Sequence, residues 1–255
     1  MIPALGRLQL VELSRLFLHE AHDLARLGRV QDDIRREGVQ RNPGIVAPCE
    51  GLYLVLDGAH RVHALRKLNV QFALVQRVDP PEKAASWGHV LDAASLEAVL
   101  GSAEGIEVSE ILPERIPLAE ACFHEGRKLF ITSLQEDLAS EVRALWMLQA
   151  AYPPGEVVRR IDTGRRVEPL PGEAILFYRS FTPGELVETV SRDEVLPAGI
   201  TRFVVEERVL NVRYPLELLA EGDSAARNAE LGTFVEGVWK RNRVRRYTEP
   251  VVLFE

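Results

Sequence analysis

An aspartate, a glycine and an arginine stand together at Asp57-Gly58-Ala59-His60-Arg61, directly after the apolar run Leu52-Tyr53-Leu54-Val55-Leu56. These residue types read as a buried strand that ends in a tight turn and opens a helix. Gly58 lets the backbone turn where a side chain would obstruct a ligand. The helix from Ala59 to Leu68 aims its first-turn N–H groups and positive dipole end at the turn, and Arg61 adds a planar two-point fork. That is the equipment of a phosphate site. The same spacing also fits an ordinary strand-to-helix turn in which Asp57 caps the helix and Arg61 is solvated, because short motifs match by chance. Asp57 has two chemical readings as well: a Mg²⁺ ligand beside phosphate oxygens, or a group that orients a substrate hydroxyl.

Three further positions carry candidate chemistry. Glu20, in His19-Glu20-Ala21-His22, is an acidic side chain that can take the proton from a hydroxyl as it attacks phosphorus; the alternative is a solvated carboxylate at a helix start. Thr201 and Arg202, in a turn leading into a strand, have the hydroxyl and the fork that grip the carboxylate of an amino acid, against the alternative of an exposed strand arginine. Trp87, in Ala85-Ser86-Trp87-Gly88-His89, is either a wall of a small-ligand pocket or simply packed. His19 with His22, and His60 with His63, share i,i+3 spacing, but neither pair has the HExxH pattern of a zinc site.

The elements that must position these residues are legible in outline. A strand and its exit run from Leu8 to Leu16, and a helix from Asp23 to Glu37 has Leu24, Leu27, Val30 and Ile34 at helical spacing, stopped by Gly38. Strands at Gly44 to Ala47, Tyr53 to Leu56 and Phe72 to Val78 enclose the Ala59 to Leu68 helix, and Asp79-Pro80-Pro81 ends the unit. Beyond it the pattern predicts a helix from Ala94 to Gly101 and a hairpin of Leu118 to Phe123 and Leu129 to Ser133. A helix from Gln135 to Ala151 follows, with Trp146 on its core face and Pro153-Pro154-Gly155 at its end. Strands are expected at Glu173 to Tyr178, Arg202 to Val205, Val209 to Val212 and Pro250 to Phe254, and helices at Pro183 to Val190 and Asp223 to Arg243.

Composition narrows the class. The chain has 255 residues, enough for one large or two small cores, and its net charge of −7 disfavours a broad nucleic-acid-binding face. No apolar run approaches the roughly 20 residues of a membrane span and no signal pattern opens the chain, so a soluble, cytoplasmic protein with a small-molecule ligand is expected. Cys49 and Cys122 are far apart and lack metal-site spacing, which argues against disulfides and structural zinc.

With the apolar strand before it and His19-Glu20 upstream, Asp57-Gly58-Ala59-His60-Arg61 resembles the ParB/sulfiredoxin-like superfamily. Trp87-Gly88-His89, Leu196-Pro197-Ala198-Gly199-Ile200-Thr201-Arg202-Phe203 and Tyr247-Thr248-Glu249-Pro250-Val251 are similar to a narrower group, the free L-serine kinases, among them that of staphyloferrin B siderophore biosynthesis. The similarity runs nearly end to end and is weakest from Leu91 to Pro117. It implies an α/β (α+β) chain with a ParB/sulfiredoxin-like nucleotide-binding lobe over residues 1–90 and a second mixed α/β lobe over residues 91–255 that contributes the serine site. It implies transfer of the γ-phosphoryl of ATP, with Mg²⁺, to the hydroxyl of L-serine, giving O-phospho-L-serine and ADP. Glu20 then matches the catalytic glutamate and Asp57 the essential aspartate, which also serves the metal. Gly58, Ala59, His60 and Arg61 cradle the nucleotide phosphates, and Trp87, Thr201 and Arg202 line the serine site. The alternatives are ADP as donor, as in an archaeal relative, and a non-catalytic ParB-like nucleotide-binding regulator. The resemblance disfavours sulfiredoxin chemistry, because the reactive cysteine of sulfiredoxin sits where this chain has Ala59. Partition-site reading is disfavoured by the lack of a helix-turn-helix pattern and a basic surface.

Overall fold

The computed structural model describes residues 2–22, 24–49, 51–80, 82, 84–153, 158–162 and 167–247. Its contacts divide the chain into two compact units: Met1–Leu16, Leu24–Asp79 and Val205–Glu255 in one, Phe17–Asp23 and Pro80–Val204 in the other. Both mix helices with sheet, as the α/β expectation required. The dividing line differs from a single cut after residue 90, because strand pairing rather than sequence order decides membership. Residues 80–90 join the second unit, and the chain returns to the first at Val205.

The first unit has a 3-10 helix (Pro3–Arg7), β1 (Leu8–Glu12), a short 3-10 turn and β2 (Leu16–Phe17), within which the chain leaves the unit, returning to it at α1 (Leu24–Glu37) and β3 (Val39–Gln40). The hairpin β4 (Gly44–Cys49) and β5 (Leu52–Asp57), helix α2 (Ala59–Lys67) and β6 (Phe72–Arg77) complete its N-terminal part. The sheet order is β1-β6-β4-β5-β2, with β4 parallel to β6 and the β1–β6 and β4–β5 pairs antiparallel. Gly38, at φ +64°, ends α1 as expected, and among the described residues α1 buries Leu27 and Ile34. In β5 the run Leu54-Val55-Leu56 is buried, which is why it lacks polar alternation.

The second unit opens with β7 (Ala85–Asp92), then α3 (Ala93–Ser102), β8 (Ile106–Ser109), the hairpin β9 (Ala119–Phe123) and β10 (Lys128–Ser133), and α4 (Leu138–Leu148). It continues through β11 (Arg160–Asp162), β12 (Glu173–Tyr178), α5 (Pro183–Ser191) and β13 (Thr201–Arg202). The sheet runs β11-β7-β12-β9-β10-β8, and β13 pairs with β7. Each helix start has a side-chain cap: Asp92 accepts from Ser95, Asp137 from Ser140, and Thr182 and Glu185 form a reciprocal box. The cap at Asp137 starts α4 three residues later than the Gln135 expected.

In the second unit three strands, β7, β8 and β11, are not legible from alternation. β7 carries Gly88 and buried His89 at core positions, so its pattern does not read as a strand. Trp146, expected in the core, is 44% exposed, and its indole N–H donates to the Val195 carbonyl. An amphipathic ring with a backbone partner at its polar tip sits stably at a surface.

The chain re-enters the first unit through residues 205–213, then β14 (Tyr214–Pro215) paired with β3, and α6 (Ser224–Lys240). The strand expected at Val209 to Val212 is absent, because Asn211 and Arg213 adopt left-handed backbone at φ +54° and +55°. Instead side chains hold the segment: buried Gln76 donates to the Glu207 carbonyl at 2.8 Å and accepts from the Val209 N–H at 2.9 Å, and Asn42 Oδ1 accepts from the Asn211 N–H at 2.7 Å. The Asn228 carboxamide of α6 brackets Leu10 in the same manner, at 2.8 and 3.0 Å, and so satisfies the open edge of β1. The strand expected at Pro250 to Phe254 lies outside the described residues, as do most of the 247–251 motif and the 154–155 part of the Pro-Pro-Gly stop.

Gly88 makes one testable demand. A Cβ there would lie 2.9 Å from Phe177 Cδ1 and 3.0 Å from Ile175 Cγ2 on the neighbouring strand. Overpacking of this kind costs about 1–3 kcal/mol. Gly88→Ala is therefore expected to lower stability by that amount in chemical denaturation, and a midpoint equal to wild type would show that β7 and β12 do not pack this closely.

Candidate functional sites in the two units

In the first unit β5 delivers Asp57 to the start of α2. Gly58 is the cap residue, at φ +99°, and no side chain caps the helix. The reading of Asp57 as a helix cap is therefore not what the structure shows, and the positive end of the helix faces the turn. A Cβ on Gly58 would fall 2.7 Å from Arg61 Nη2, so glycine is what lets Arg61 fold back over the turn. Arg61 is not solvated: Nη2 lies 3.7 Å from Asp57 Oδ2 and donates to the Pro43 carbonyl at 3.2 Å. Ala59 and His60 occupy the first positions of the helix between them.

Arg208, which sequence reasoning did not single out, donates to Asp57 Oδ2 at 2.6 Å. The carbonyl before it and the N–H after it are the groups held by Gln76, so its backbone is fixed from both sides. Burial raises the Asp57 pKa, but the charges of Arg61 and Arg208, the Arg208 hydrogen bond and the Gly58 N–H outweigh it and hold the carboxyl below its ordinary 3.8. Asp57 is thus an anion through the neutral range. One ionised carboxylate fits Mg²⁺, which takes its other ligands from phosphate oxygens and water. Among the described residues no group of three or more His, Cys, Asp or Glu is assembled to hold a metal by itself.

In the second unit Glu20 is clamped by a single turn. Gly199 N–H donates to Oε2 at 2.9 Å, while Thr201 donates to Oε1 twice, from N–H at 2.6 Å and from its hydroxyl at 2.6 Å. His19 Nε2 lies 2.8 Å from the same hydroxyl. Because the Thr201 proton goes to the carboxylate, the imidazole N–H is the donor in that pair. The strand-like contact of Leu196 with residues 19–21 brings the two segments together: Leu196 N–H donates to the His19 carbonyl and Ala21 N–H to the Leu196 carbonyl, each at 2.8 Å.

Trp87 and Arg202 also meet. The guanidinium carbon of Arg202 stands 4.4 Å from the centre of the Trp87 ring, and Nη1 pairs with Asp162 Oδ1 at 2.5 Å. Asp162 is directly opposite Trp87 on β11. Arg202 is therefore a partly buried, paired arginine and not a free surface one. Within the second unit the structure unites Glu20 with Thr201 and Trp87 with Arg202; within the first it unites Asp57, Gly58 and Arg61. His19, Asp162, Gly199 and Arg208 are the partners that the sequence reading did not assign, and only Gly199, a glycine next to the Thr-Arg pair, carried a signal that marks a turn.

No family model matches the chain. It is 26% identical over 251 residues, 97% of each chain, to the ATP-dependent L-serine kinase SbnI of Staphylococcus aureus. It is 24% identical over 229 residues to the ATP-dependent L-serine kinase of Staphylothermus marinus, covering 82% of this chain and 90% of that one. Among solved structures, SbnI with a C-terminal truncation superposes with a TM-score of 0.81 at 23% identity, over 94% of this chain and all of the other. A free serine kinase with one glutamate replaced by glutamine, in complex with AMP, superposes with a TM-score of 0.63 at 19% identity, over 84% of this chain and 94% of that one. The chain has the fold of the free serine kinases, and it is similar in sequence to two ATP-dependent L-serine kinases over 97% and 82% of its length.

The Asp57 cluster gives a titration test. A carboxyl whose folded pKa is depressed contributes stability above its unfolded value near 3.8, and that contribution is lost as pH falls through the lower folded pKa. Since Asp57 is half-exposed, the contribution should not exceed about 1 kcal/mol. Carbon-13 titration of Asp57 is expected to show a midpoint below 3.8 that rises in Arg208→Gln. An unchanged midpoint would remove Arg208 from the cluster.

Proposed function

We propose that this chain is an ATP-dependent L-serine kinase, which transfers the γ-phosphoryl of ATP to the hydroxyl of free L-serine and yields O-phospho-L-serine and ADP. The observation that carries the reading is the likeness to two proteins named for that activity, over 97% and 82% of this chain, together with an oriented glutamate at Glu20 and a glycine-capped helix start at Asp57 to Arg61. That a free serine kinase has been solved with nucleotide and with a single glutamate substituted supports a functional carboxylate in the group. ATP and serine are metabolites of the cytoplasm, where we place the reaction.

Each residue has a task the chemistry defines. The first-turn N–H groups of α2 and the Arg61 fork receive the nucleotide phosphates, and Arg208 adds positive charge there. Asp57 is the residue that would hold Mg²⁺, whose contribution when bound is to neutralise charge on the phosphate oxygens. Glu20 accepts the serine hydroxyl proton as that oxygen bonds to the γ-phosphorus and the bond from phosphorus to the β-phosphate oxygen breaks. The three donors from residues 199 and 201 fix the carboxylate rotamer, so that positioning precedes proton transfer. Trp87 walls the amino-acid site and Arg202 grips the substrate carboxylate, with Asp162 holding its other edge.

Two variants test these assignments. In Glu20→Gln, kcat for O-phosphoserine formation is expected to fall by about 10²- to 10⁴-fold with nucleotide affinity retained, because shape persists while proton acceptance is lost. Turnover near wild type would take Glu20 out of the mechanism. In Arg202→Lys the KM for serine should rise strongly while the KM for ATP stays unchanged, since a point charge cannot replace a planar fork. An unmoved serine KM would locate the amino-acid carboxylate elsewhere.

A further inference from the structure

Behind the turn that clamps Glu20 lies a buried polar chain to which the phosphoryl-transfer reading gives no task. His89 on β7 is 1% exposed, yet both ring nitrogens are engaged: Nε2 lies 3.0 Å from the Gly199 carbonyl and Nδ1 lies 2.6 Å from the Tyr152 hydroxyl. Tyr152 in turn lies 2.5 Å from the Tyr178 hydroxyl, and both phenol rings meet the imidazole edge-on, with centroids 5.6 and 5.5 Å away. The direction of the hydrogens follows from valence. A carbonyl only accepts, so Nε2 carries the proton. Burial and the nearby Arg160 charge push the His89 pKa down to about 4, against the Gly199 hydrogen bond, so the ring is neutral and Nδ1 is a bare acceptor. Tyr152 therefore donates to Nδ1 and accepts from Tyr178. The whole chain points one way, from Tyr178 through Tyr152 and His89 into the Gly199 carbonyl.

Gly199 connects this chain to the acid. Its carbonyl receives His89, and its own N–H donates to Glu20 Oε2 at 2.9 Å. The residue sits at φ +81°, a conformation in which no side chain is comfortable and in which the Arg160 guanidinium packs against the place a Cβ would fill. Its carbonyl belongs to the peptide that leads to Ile200 and its N–H to the peptide that follows Ala198, and the two units are joined at the Gly199 α-carbon.

Building on the kinase reading, we infer that His89 is a positioning residue for Glu20, which acts through the Gly199 backbone and is held in its working tautomer by Tyr152 and Tyr178. It touches no reacting atom. Its work is to hold the Gly199–Ile200 peptide, which lies between the Gly199 and Thr201 N–H donors that aim the two oxygens of the Glu20 carboxylate, and a misplacement of about 1 Å at a reacting group lowers rate by about 10²-fold.

The test compares His89→Leu, His89→Gln and Tyr152→Phe with wild type, using O-phosphoserine formation and the Gly199 amide resonance in ¹⁵N-labelled protein. His89→Leu should reduce kcat by about 10- to 100-fold with the KM for ATP unchanged, and should move the Gly199 amide upfield, as Glu20→Gln also should. His89→Gln places an amide N–H where Nε2–H stood and should recover most of the rate, which a merely structural role would not predict. Tyr152→Phe keeps the packing but frees the tautomer, so an intermediate loss is expected, and it serves alone if thermal melting shows His89→Leu unfolded. Wild-type kcat in both His89→Leu and Tyr152→Phe, or no recovery in His89→Gln, overturns the inference. If wild-type protein forms no phosphoserine, the kinase reading falls, and an amide that fails to move in the His89 and Tyr152 variants overturns the positioning role as well.

Discussion

The second unit turns on the hydrogen bonds between the 199–201 backbone and the Glu20 carboxylate, because those partners are some 180 residues apart in sequence and meet only in the folded chain. The clamp is held from behind by burial. Leu196 and Ile200 are fully inaccessible, and Phe203 is buried with its ring edge-on to His19 at 5.6 Å. Apolar anchors thus flank and alternate with the residues that donate to Glu20. A hydrogen bond to an ionised group contributes about 1.5–3 kcal/mol, and full burial of one isoleucine contributes about as much. Neither alone determines the turn; anchors and donors set it jointly, so a change in either propagates to the carboxylate.

The first unit solves a different electrostatic problem. On the proposed reading a phosphate site needs positive charge, and Mg²⁺ would need a carboxylate at the same place. Two guanidinium groups against one carboxylate satisfy both, since Arg61 and Arg208 keep Asp57 ionised and leave an excess of positive charge beside the α2 start. This local balance opposes that of the whole chain, whose net charge is −7. Bulk charge therefore argues about association with large anionic partners and says little about a site built from a few groups. Gln76 is what makes the arrangement dependable: it fixes the backbone on both sides of Arg208, so the arginine is presented from a rigid segment although the strand expected there does not form.

Most of what the sequence made legible is local. The 57–61 turn, the α1 stop at Gly38, the β9–β10 hairpin and the bounds of β12 follow from glycine placement and apolar runs, which depend on neighbours a few residues away. What stayed hidden was non-local. β7 is hard to recognise because His89 is a core residue only by virtue of Tyr152, Tyr178 and Gly199, none of them adjacent in sequence. Arg208 lies in Glu206-Glu207-Arg208, which reads as a solvated charged stretch, and nothing in that stretch announces Gln76 or Asp57. Trp146 was misplaced for the converse reason, since its helical spacing is right and only the Val195 carbonyl explains its surface position.

Thr201 shows how a residue can fit a substrate-contact role and a structural one at once. A hydroxyl has one proton and two lone pairs. The proton goes to Glu20 Oε1 and one lone pair accepts from His19, each within 2.8 Å. One lone pair remains, which can accept from a cationic amine but cannot donate to a carboxylate. If Thr201 meets free serine, the chemistry therefore directs it to the substrate ammonium and leaves the substrate carboxylate to the Arg202 fork, stacked on Trp87 beside it. The pair that the sequence suggested as a single carboxylate clamp is, on this count of donors and acceptors, two tools for the two ends of an amino acid.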